Sequence, residues 1–233
     1  SSLILQFFSL QQGTISVIAK GILKKREQLQ LLPLCEYELL AYEPKEQGLW
    51  LFSEAYIIRN FSVYPGSATW ATAETGLELI SHLIISQEDI ATIYNLTIAY
   101  LEYLKKVKNN AILIFWRFLN RIIILSGIGN PLSNCCLCNN ALSLPAAYLK
   151  SKGGFVCENC LPEIYPNDAL LILSPPARKI LLLLPEIGNH LEEITLNRSI
   201  VNEINTAFAL YWQAHHKQTL HLKGLSVLAQ FYN

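Results

Sequence analysis

The first sixty residues alternate between hydrophobic and polar positions, which is the pattern of half-buried β-strands. In residues 14–20, for example, Ile15, Val17 and Ala19 fall on one face of an extended chain. No segment with helical periodicity interrupts this region. Four or five short strands joined by turns predict a small β-barrel or a meander. The predicted strands cover residues 3–8, 14–20, 35–42 and 49–59.

After residue 66 the apolar positions recur every three to four residues, which indicates amphipathic helices. Ser86, with Asp89 three residues later, has the composition of a helix N-terminus. Because strands come first and helices follow, the pattern predicts an α+β protein of two packed parts and not alternating βαβ units. The predicted helices cover residues 68–85, 90–104, 111–126 and 200–216, and another begins at Pro175.

Composition narrows the classes of protein that the chain can belong to. Hydrophobic residues make up 52% of the 233 residues and charged residues 15%, so we expect a folded core and not a disordered chain. Lys+Arg and Asp+Glu both total 18. With a net charge of zero, any surface that binds nucleic acid has to be a local patch.

Neither secretion nor membrane insertion is predicted. The chain lacks a basic segment followed by a short apolar one, the pattern of a secretion signal. Its most apolar stretch, residues 111–128, contains Arg117, Asn120 and Arg121. Each charge at the centre of a bilayer would cost about 2.5–3.5 kcal/mol. We therefore interpret this stretch as a buried helix of a soluble protein.

Two C-x-x-C pairs carry the strongest chemical signal, with eighteen residues between them. A two-residue gap folds into a tight knuckle that directs both thiolates at one centre, and two knuckles complete a tetrahedral zinc site. Gly153-Gly154, just before the second pair, suits a sharp hairpin turn. Six cysteines in a chain of this length are too few for a disulfide scaffold. The predicted ligands are Cys135, Cys138, Cys157 and Cys160.

Four thiolates leave no open coordination position, so the predicted zinc is structural and not catalytic. A zinc deaminase also carries C-x-x-C, but it needs an upstream H-x-E and a proline before the pair; here Val156 precedes Cys157. The same four thiolates also suit an iron–sulfur cluster. A further alternative is that the four cysteines bind no metal. Cys136 is interpreted as a bystander and Cys35 as a buried apolar residue. Neither a phosphate-binding G-x-x-x-x-G-K loop nor a G-x-S-x-G elbow is present, so no enzyme is predicted.

A basic cluster follows the second predicted strand, with four positive charges within seven residues. An isolated cluster of this size is typical of a solvated loop. In the first long loop of a small barrel, the same charges favour contact with the phosphates of a nucleic acid strand. Both interpretations stay open at this point. The cluster consists of Lys20, Lys24, Lys25 and Arg26.

Four segments resemble the RecO family of bacterial recombination mediators. Residues 12–21 are similar to the family's "hGkisvvaKGarr" stretch, and residues 125–131 to its "LxxlGyxP" segment. The cysteine pairs with Gly153-Gly154 match "CxxC…GGxxCxxC". Residues 221–228 resemble the "LKSxxFL" helix, with Gly224 where the family usually has serine. The four matches follow the family's order and span almost the whole chain.

The resemblance implies an N-terminal OB-fold over residues 1–62 and an α-helical domain over residues 63–233, with a zinc ribbon at about 134–161. Members are non-enzymatic mediators in the bacterial cytoplasm, at the nucleoid. They bind single- and double-stranded DNA, anneal complementary strands and act with RecR to load RecA onto DNA coated with single-strand-binding protein, whose C-terminal tail they bind.

Carried over to this chain, the residues that contact phosphates are Lys20, Lys24, Lys25 and Arg26. A second interpretation stays open beside this one. The chain is then a zinc-stabilised protein-interaction scaffold that does not bind nucleic acid directly. Its net charge of zero and its apolar composition favour that alternative.

Overall fold

A computed structural model of the chain describes residues 2–21, 31–46, 48–164, 170–216 and 219–232. Lys24, Lys25 and Arg26 of the basic cluster lie outside the described residues. The chain divides into two compact units, Ser1–Val107 and Lys108–Asn233. The first two helices group with the sheet in this division, and the domain boundary after residue 62 stays a prediction.

The alternating segments of the first unit form a four-stranded sheet, as predicted. Its strand order is β1-β2-β4-β3. β1 and β2 form an antiparallel hairpin, β3 pairs with β4 antiparallel, and β2 runs parallel to β4. The strands are β1 (Ser2–Ser9), β2 (Gly13–Lys20), β3 (Cys35–Tyr42) and β4 (Trp50–Asn60).

The sheet curls so that its two edge strands approach each other. The rings of Phe7 in β1 and Tyr37 in β3 meet edge to face, with centroids 6.2 Å apart. Val17 and Ala19 of β2 lie on the same inner face and are fully buried. Within the described residues β1 and β3 each have a strand neighbour on one side only, so closure of the sheet into a barrel stays a prediction.

Two helices, α1 (Ser67–Ser81) and α2 (Ile90–Leu104), complete the first unit. Gly76 lets them pack closely, because a Cβ atom there would lie 2.3 Å from the buried Tyr100 ring. Helix α2 begins after Asp89 and not after Ser86, so the predicted capping residue was wrong. The Ser86 hydroxyl instead donates a hydrogen bond to the Asp89 carboxylate at 2.6 Å.

Tyr94 of α2 contacts both edge strands of the sheet. Its ring lies 5.8 Å from that of Phe8 in β1, and its hydroxyl donates to the Glu36 carboxylate of β3 at 2.8 Å. Glu36 also forms an ion pair with Arg59 of β4. The pKa of Glu36 is lowered, because the hydrogen bond from Arg59 outweighs the effect of burial.

The second unit is built around α3, the apolar helix that the sequence predicts to be buried. Ile112, Phe115 and Trp116 of this helix are fully buried, which confirms that prediction. In the described part of the chain, no helix has the length and apolar character needed to span a membrane. A small antiparallel sheet of order β6-β5-β7 and three more helices pack in this unit. Its elements are α3 (Ala111–Leu125), β5 (Pro145–Leu149), β6 (Gly154–Cys157), β7 (Leu170–Ile172), α4 (Pro175–Leu183), α5 (Arg198–His216) and α6 (Lys223–Leu228).

Candidate metal centre and nucleic-acid surface

The two C-x-x-C pairs come together in the second unit. The ligand atoms of Cys135, Cys138, Cys157 and Cys160 all lie within 4.8 Å of one another. The Cys138 and Cys157 sulfurs are 3.9 Å apart. Bonds of about 2.3 Å to a tetrahedral zinc ion place sulfur ligands about 3.8 Å apart, so the four thiols fit this ion.

The first knuckle is shaped by its own backbone. The Asn139 N–H donates to the Cys135 carbonyl at 2.9 Å, and Asn139 adopts a positive φ of 58°. Asparagine tolerates this left-handed conformation better than most residues. The Asn134 side chain donates to the Asn139 carbonyl at 2.7 Å and closes the loop. Local hydrogen bonds therefore hold Cys135 and Cys138 facing the same side.

The second knuckle follows β6, and Gly153 and Gly154 serve two different purposes beside it. Gly153 lies at the hairpin turn with φ +63°, where a left-handed backbone favours glycine. Gly154 is already in β6, and a Cβ atom there would lie 2.7 Å from the Cys136 Cβ. The Cys136 N–H donates to the Phe155 carbonyl at 2.9 Å. The prediction of a turn was thus right for Gly153. Gly154 instead lets the first knuckle approach β6, which leads into the second knuckle.

The electrostatics of the cluster favour a bound cation. Burial would raise the pKa of Cys135, but the backbone N–H groups of Cys138, Cys157 and Leu137 stabilise its thiolate and lower the pKa to about 6. The pKa of Cys160 is raised, chiefly by its hydrogen bond with Cys157 and by burial. Four neighbouring thiols cannot all ionise alone, and a divalent ion supplies the charge that lets them do so.

Helix α5 supports the metal hairpin from one side. The His215 ring nitrogen Nε2 lies 2.9 Å from the Gly153 carbonyl oxygen, and a Cβ on Gly153 would lie 3.1 Å from the Ala214 Cβ. Phe155 and Tyr211 stack with centroids 6.5 Å apart. The sequence offers no periodic or spacing signal for these contacts.

The predicted nucleic-acid surface is only partly described. Lys20 is exposed at the end of β2, and the other three basic residues lie outside the described residues. The register places Ile4, Ile18, Leu51 and Tyr42 in one row across the outer face of the sheet, the face that also carries Lys20. Tyr42 and Tyr56 are both 62% exposed. Three other aromatic residues of the sheet, Tyr37, Trp50 and Phe52, are half-buried.

Comparison with known proteins gives a consistent result. The model of the family described as "Recombination protein O C terminal" matches residues 68–223. The DNA repair protein RecO of Clostridium perfringens (strain 13) is 30% identical over 174 residues, which cover 71% of this chain and 69% of the relative. RecO of Rubrobacter xylanophilus is 25% identical over 168 residues, 71% of this chain and 67% of the relative. RecO of Acetivibrio thermocellus is 22% identical over 213 residues, 89% and 82% of the two chains.

Proposed function

The chain belongs to the RecO family of DNA repair proteins, and we propose that it acts as a non-enzymatic mediator of recombination that binds DNA. The family relationship carries this proposal, because it covers residues 68–223 and places the chain among proteins of DNA repair. The closed set of four cysteines agrees with a protein that has no catalytic metal.

The first part of the proposal is an OB-fold formed by residues 1–62, with a helical domain over residues 63–233. An OB-fold is a five-stranded, partly open barrel. The curled sheet supports this assignment, because β1 and β3 approach through Phe7 and Tyr37 without pairing to each other. One additional strand between these two edges would close the barrel.

The second part is the DNA contact. We assign phosphate contacts to Lys20, Lys24, Lys25 and Arg26, for single strands and duplexes alike. The exposed outer face of the sheet, with Tyr42 and Tyr56, supplies surfaces on which bases stack. Annealing then needs no ATP: neutralised phosphates let complementary strands approach, and base pairing drives the product.

The third part concerns metal and partners. Zinc held by the four cysteines would stabilise the fold of the second unit without taking part in catalysis. The protein would act in the bacterial cytoplasm, at the nucleoid. There it would work with RecR and the C-terminal tail of single-strand-binding protein, and through them with RecA.

Lys24→Ala combined with Lys25→Ala tests the DNA contact. The readout is fluorescence anisotropy of labelled oligo-dT across a salt series, together with an annealing assay. The slope of log K against log [salt] is negative, and loss of two phosphate contacts should make it less steep by about 1.5. Lys150→Ala with Lys152→Ala is the matched control, because it removes two exposed charges from the other unit. If both double variants change the affinity for oligo-dT equally, or if neither changes it, the basic cluster has no part in DNA binding.

The alternative, an interaction scaffold without DNA binding, rests on one observation. Ile4, Leu51 and Tyr42 form an exposed, largely apolar row on the outer face of the sheet, which a protein partner would also cover. The same anisotropy assay separates the two functions. A scaffold would show no binding of oligo-dT even at low salt, whereas a mediator binds most tightly there.

A further inference from the structure

A groove lies in the second unit between α5 and the segment that ends the chain. It has a volume of about 270 Å³. One wall consists of Asn202, Asn205 and Thr206 of α5, and the other of Leu220, Leu222 and Leu225. Neither the metal centre nor the sheet contributes residues to it. The groove combines an amide-rich wall with an aliphatic one.

One of the amides is held in a fixed orientation. The Asn205 Oδ1 accepts a hydrogen bond from the Trp116 indole N–H at 2.8 Å, and Trp116 is fully buried. The oxygen of this amide is therefore engaged by the indole, so the NH₂ group of Asn205, which also lines the groove, is the part that a ligand can use. The Thr206 hydroxyl donates to the Asn202 carbonyl at 2.7 Å, so its oxygen stays free to accept. The wall thus offers preset donors and acceptors.

The opposite wall offers backbone groups. Residues 219–222 precede α6 without forming a helix or a strand, and the backbone of Leu222 is extended, with φ −100° and ψ 115°. Within the described part of the chain, the backbone N–H and C=O groups of residues 219–221 have no protein partner. Leu220 and Leu222 are buried, while His221 between them is exposed. A segment with this alternation of buried and exposed side chains, and with unpaired backbone groups, can accept another strand.

Charge identifies the class of ligand. No lysine, arginine, aspartate or glutamate is among the described residues that line the groove. His221 is the one titratable side chain among these residues, so a phosphate or carboxylate would find no permanent counter-charge there. Neutral amides and hydroxyls instead match the N–H and C=O groups of a peptide backbone. The volume lies just below the usual range of small-molecule pockets, about 300–1,000 Å³, and suits one or two aliphatic side chains.

We propose that this groove binds an uncharged, extended peptide segment, with its backbone paired to residues 219–221 and to the α5 amides, and an aliphatic side chain against the leucines. This site does not depend on DNA binding by the chain. It differs from the basic cluster in chemistry, since backbone hydrogen bonds and apolar contact replace the attraction of phosphates.

The probe is acetyl-Ala-Leu-Ala-Leu-amide, titrated into the full chain and followed by ¹⁵N NMR, including the side-chain NH₂ signals of asparagine. A saturable shift is expected for Asn202, Asn205 and residues 219–222, with a Kd of about 1 mM or tighter. The same peptide with its alternate amides N-methylated cannot pair as a strand and should not bind. No shift at about 5 mM peptide, or equal binding of the methylated peptide, overturns the proposal.

Two variants locate the site. Ala209→Phe fills the groove and should abolish binding, and Asn202→Ala should weaken it about 2- to 10-fold by loss of one hydrogen bond. Gln213→Ala, exposed on the same helix outside the groove lining, is the control and should bind like the parent chain. If Ala209→Phe does not fold, Asn202→Ala and the methylated peptide still test whether the peptide binds in this groove. Binding unaffected by either variant, or displacement of the peptide by dT₁₀, refutes the assignment.

Discussion

Replacing Gly154 by alanine is the most direct test of how the metal centre is assembled. An added Cβ would lie 2.7 Å from the Cys136 Cβ and 3.4 Å from its Sγ. The nearer atom is the first carbon of a side chain and moves only with its backbone, and Cys136 is hydrogen bonded to Phe155 across this contact. The first knuckle must therefore move away from β6. This shift separates Cys135 and Cys138 from the other two ligands.

The magnitude follows from the cost of overpacking, about 1–3 kcal/mol for a group inserted into a closely packed site. For a unit of this size each kcal/mol lowers the melting temperature by about 3–5 °C, so Gly154→Ala should melt about 3–15 °C lower. Zinc affinity should fall as well, because the ligands no longer reach one centre. Thermal unfolding by circular dichroism and zinc content by mass spectrometry measure the two effects.

A reciprocal substitution makes this prediction specific. Cys136→Gly removes the atom that an alanine at 154 would strike, so the double variant should regain part of the lost stability and zinc. Gly48→Ala is the control, because a Cβ there meets nothing closer than 3.9 Å. If Gly154→Ala keeps its zinc and melts with the parent chain, or the double variant recovers nothing, the close-approach explanation is wrong.

Four further outcomes follow from other contacts. Cys157→Ser should lower zinc content and melting temperature together; a stable variant with full zinc would contradict its role as a ligand. Gly76→Ala should cost at least about 1–3 kcal/mol in urea unfolding, because its Cβ would lie 2.3 Å from the buried Tyr100 ring. Glu36 has a lowered pKa beside Arg59, so its contribution to stability is present above pH 4.5, its ordinary pKa, and is lost as the pH falls through the lower folded value. Glu36→Gln should therefore destabilise the chain at pH 7, and this effect should decrease as the pH falls below 4.5, as melting curves at decreasing pH would reveal. Chelation of zinc should destabilise the second unit yet leave oligo-dT affinity within about twofold at low temperature; a parallel loss of binding in still-folded protein would contradict a purely structural metal.

The features that the sequence predicts correctly are those with a short-range signal. The strand at residues 14–20 follows from alternation, and α3 follows from its apolar character and the glycine that ends it. The convergence of the four cysteine thiols follows from two C-x-x-C spacings, since each knuckle is formed by residues within five positions of one another. The physical reason is that local hydrogen bonds and side-chain periodicity depend on residues that are close together in the sequence.

The features that it does not predict depend on contacts between distant segments. The fixed amide of Asn205 requires Trp116, which lies 89 positions earlier, and neither residue is distinctive in its own segment. His215 meets Gly153 across 62 positions. Ser86 has the composition of a helix cap, but the residue that caps α2 is Asp89, three positions later. A polar side chain that has several possible partners can be assigned only when the tertiary contacts decide between them.

The metal centre and α5 are joined by the two adjacent glycines, each of which permits a different close contact. Gly154 admits Cys136 of the first knuckle, and Gly153 places the hairpin tip against Ala214 and His215 of the helix. Four bonds to zinc would therefore hold the two knuckles together and also the contact with α5, because the hairpin packs on this helix. In such sites the free energy of metal binding becomes free energy of folding. A metal bound in this arrangement would add rigidity to the second unit, and the function would then come from surfaces that the metal does not form.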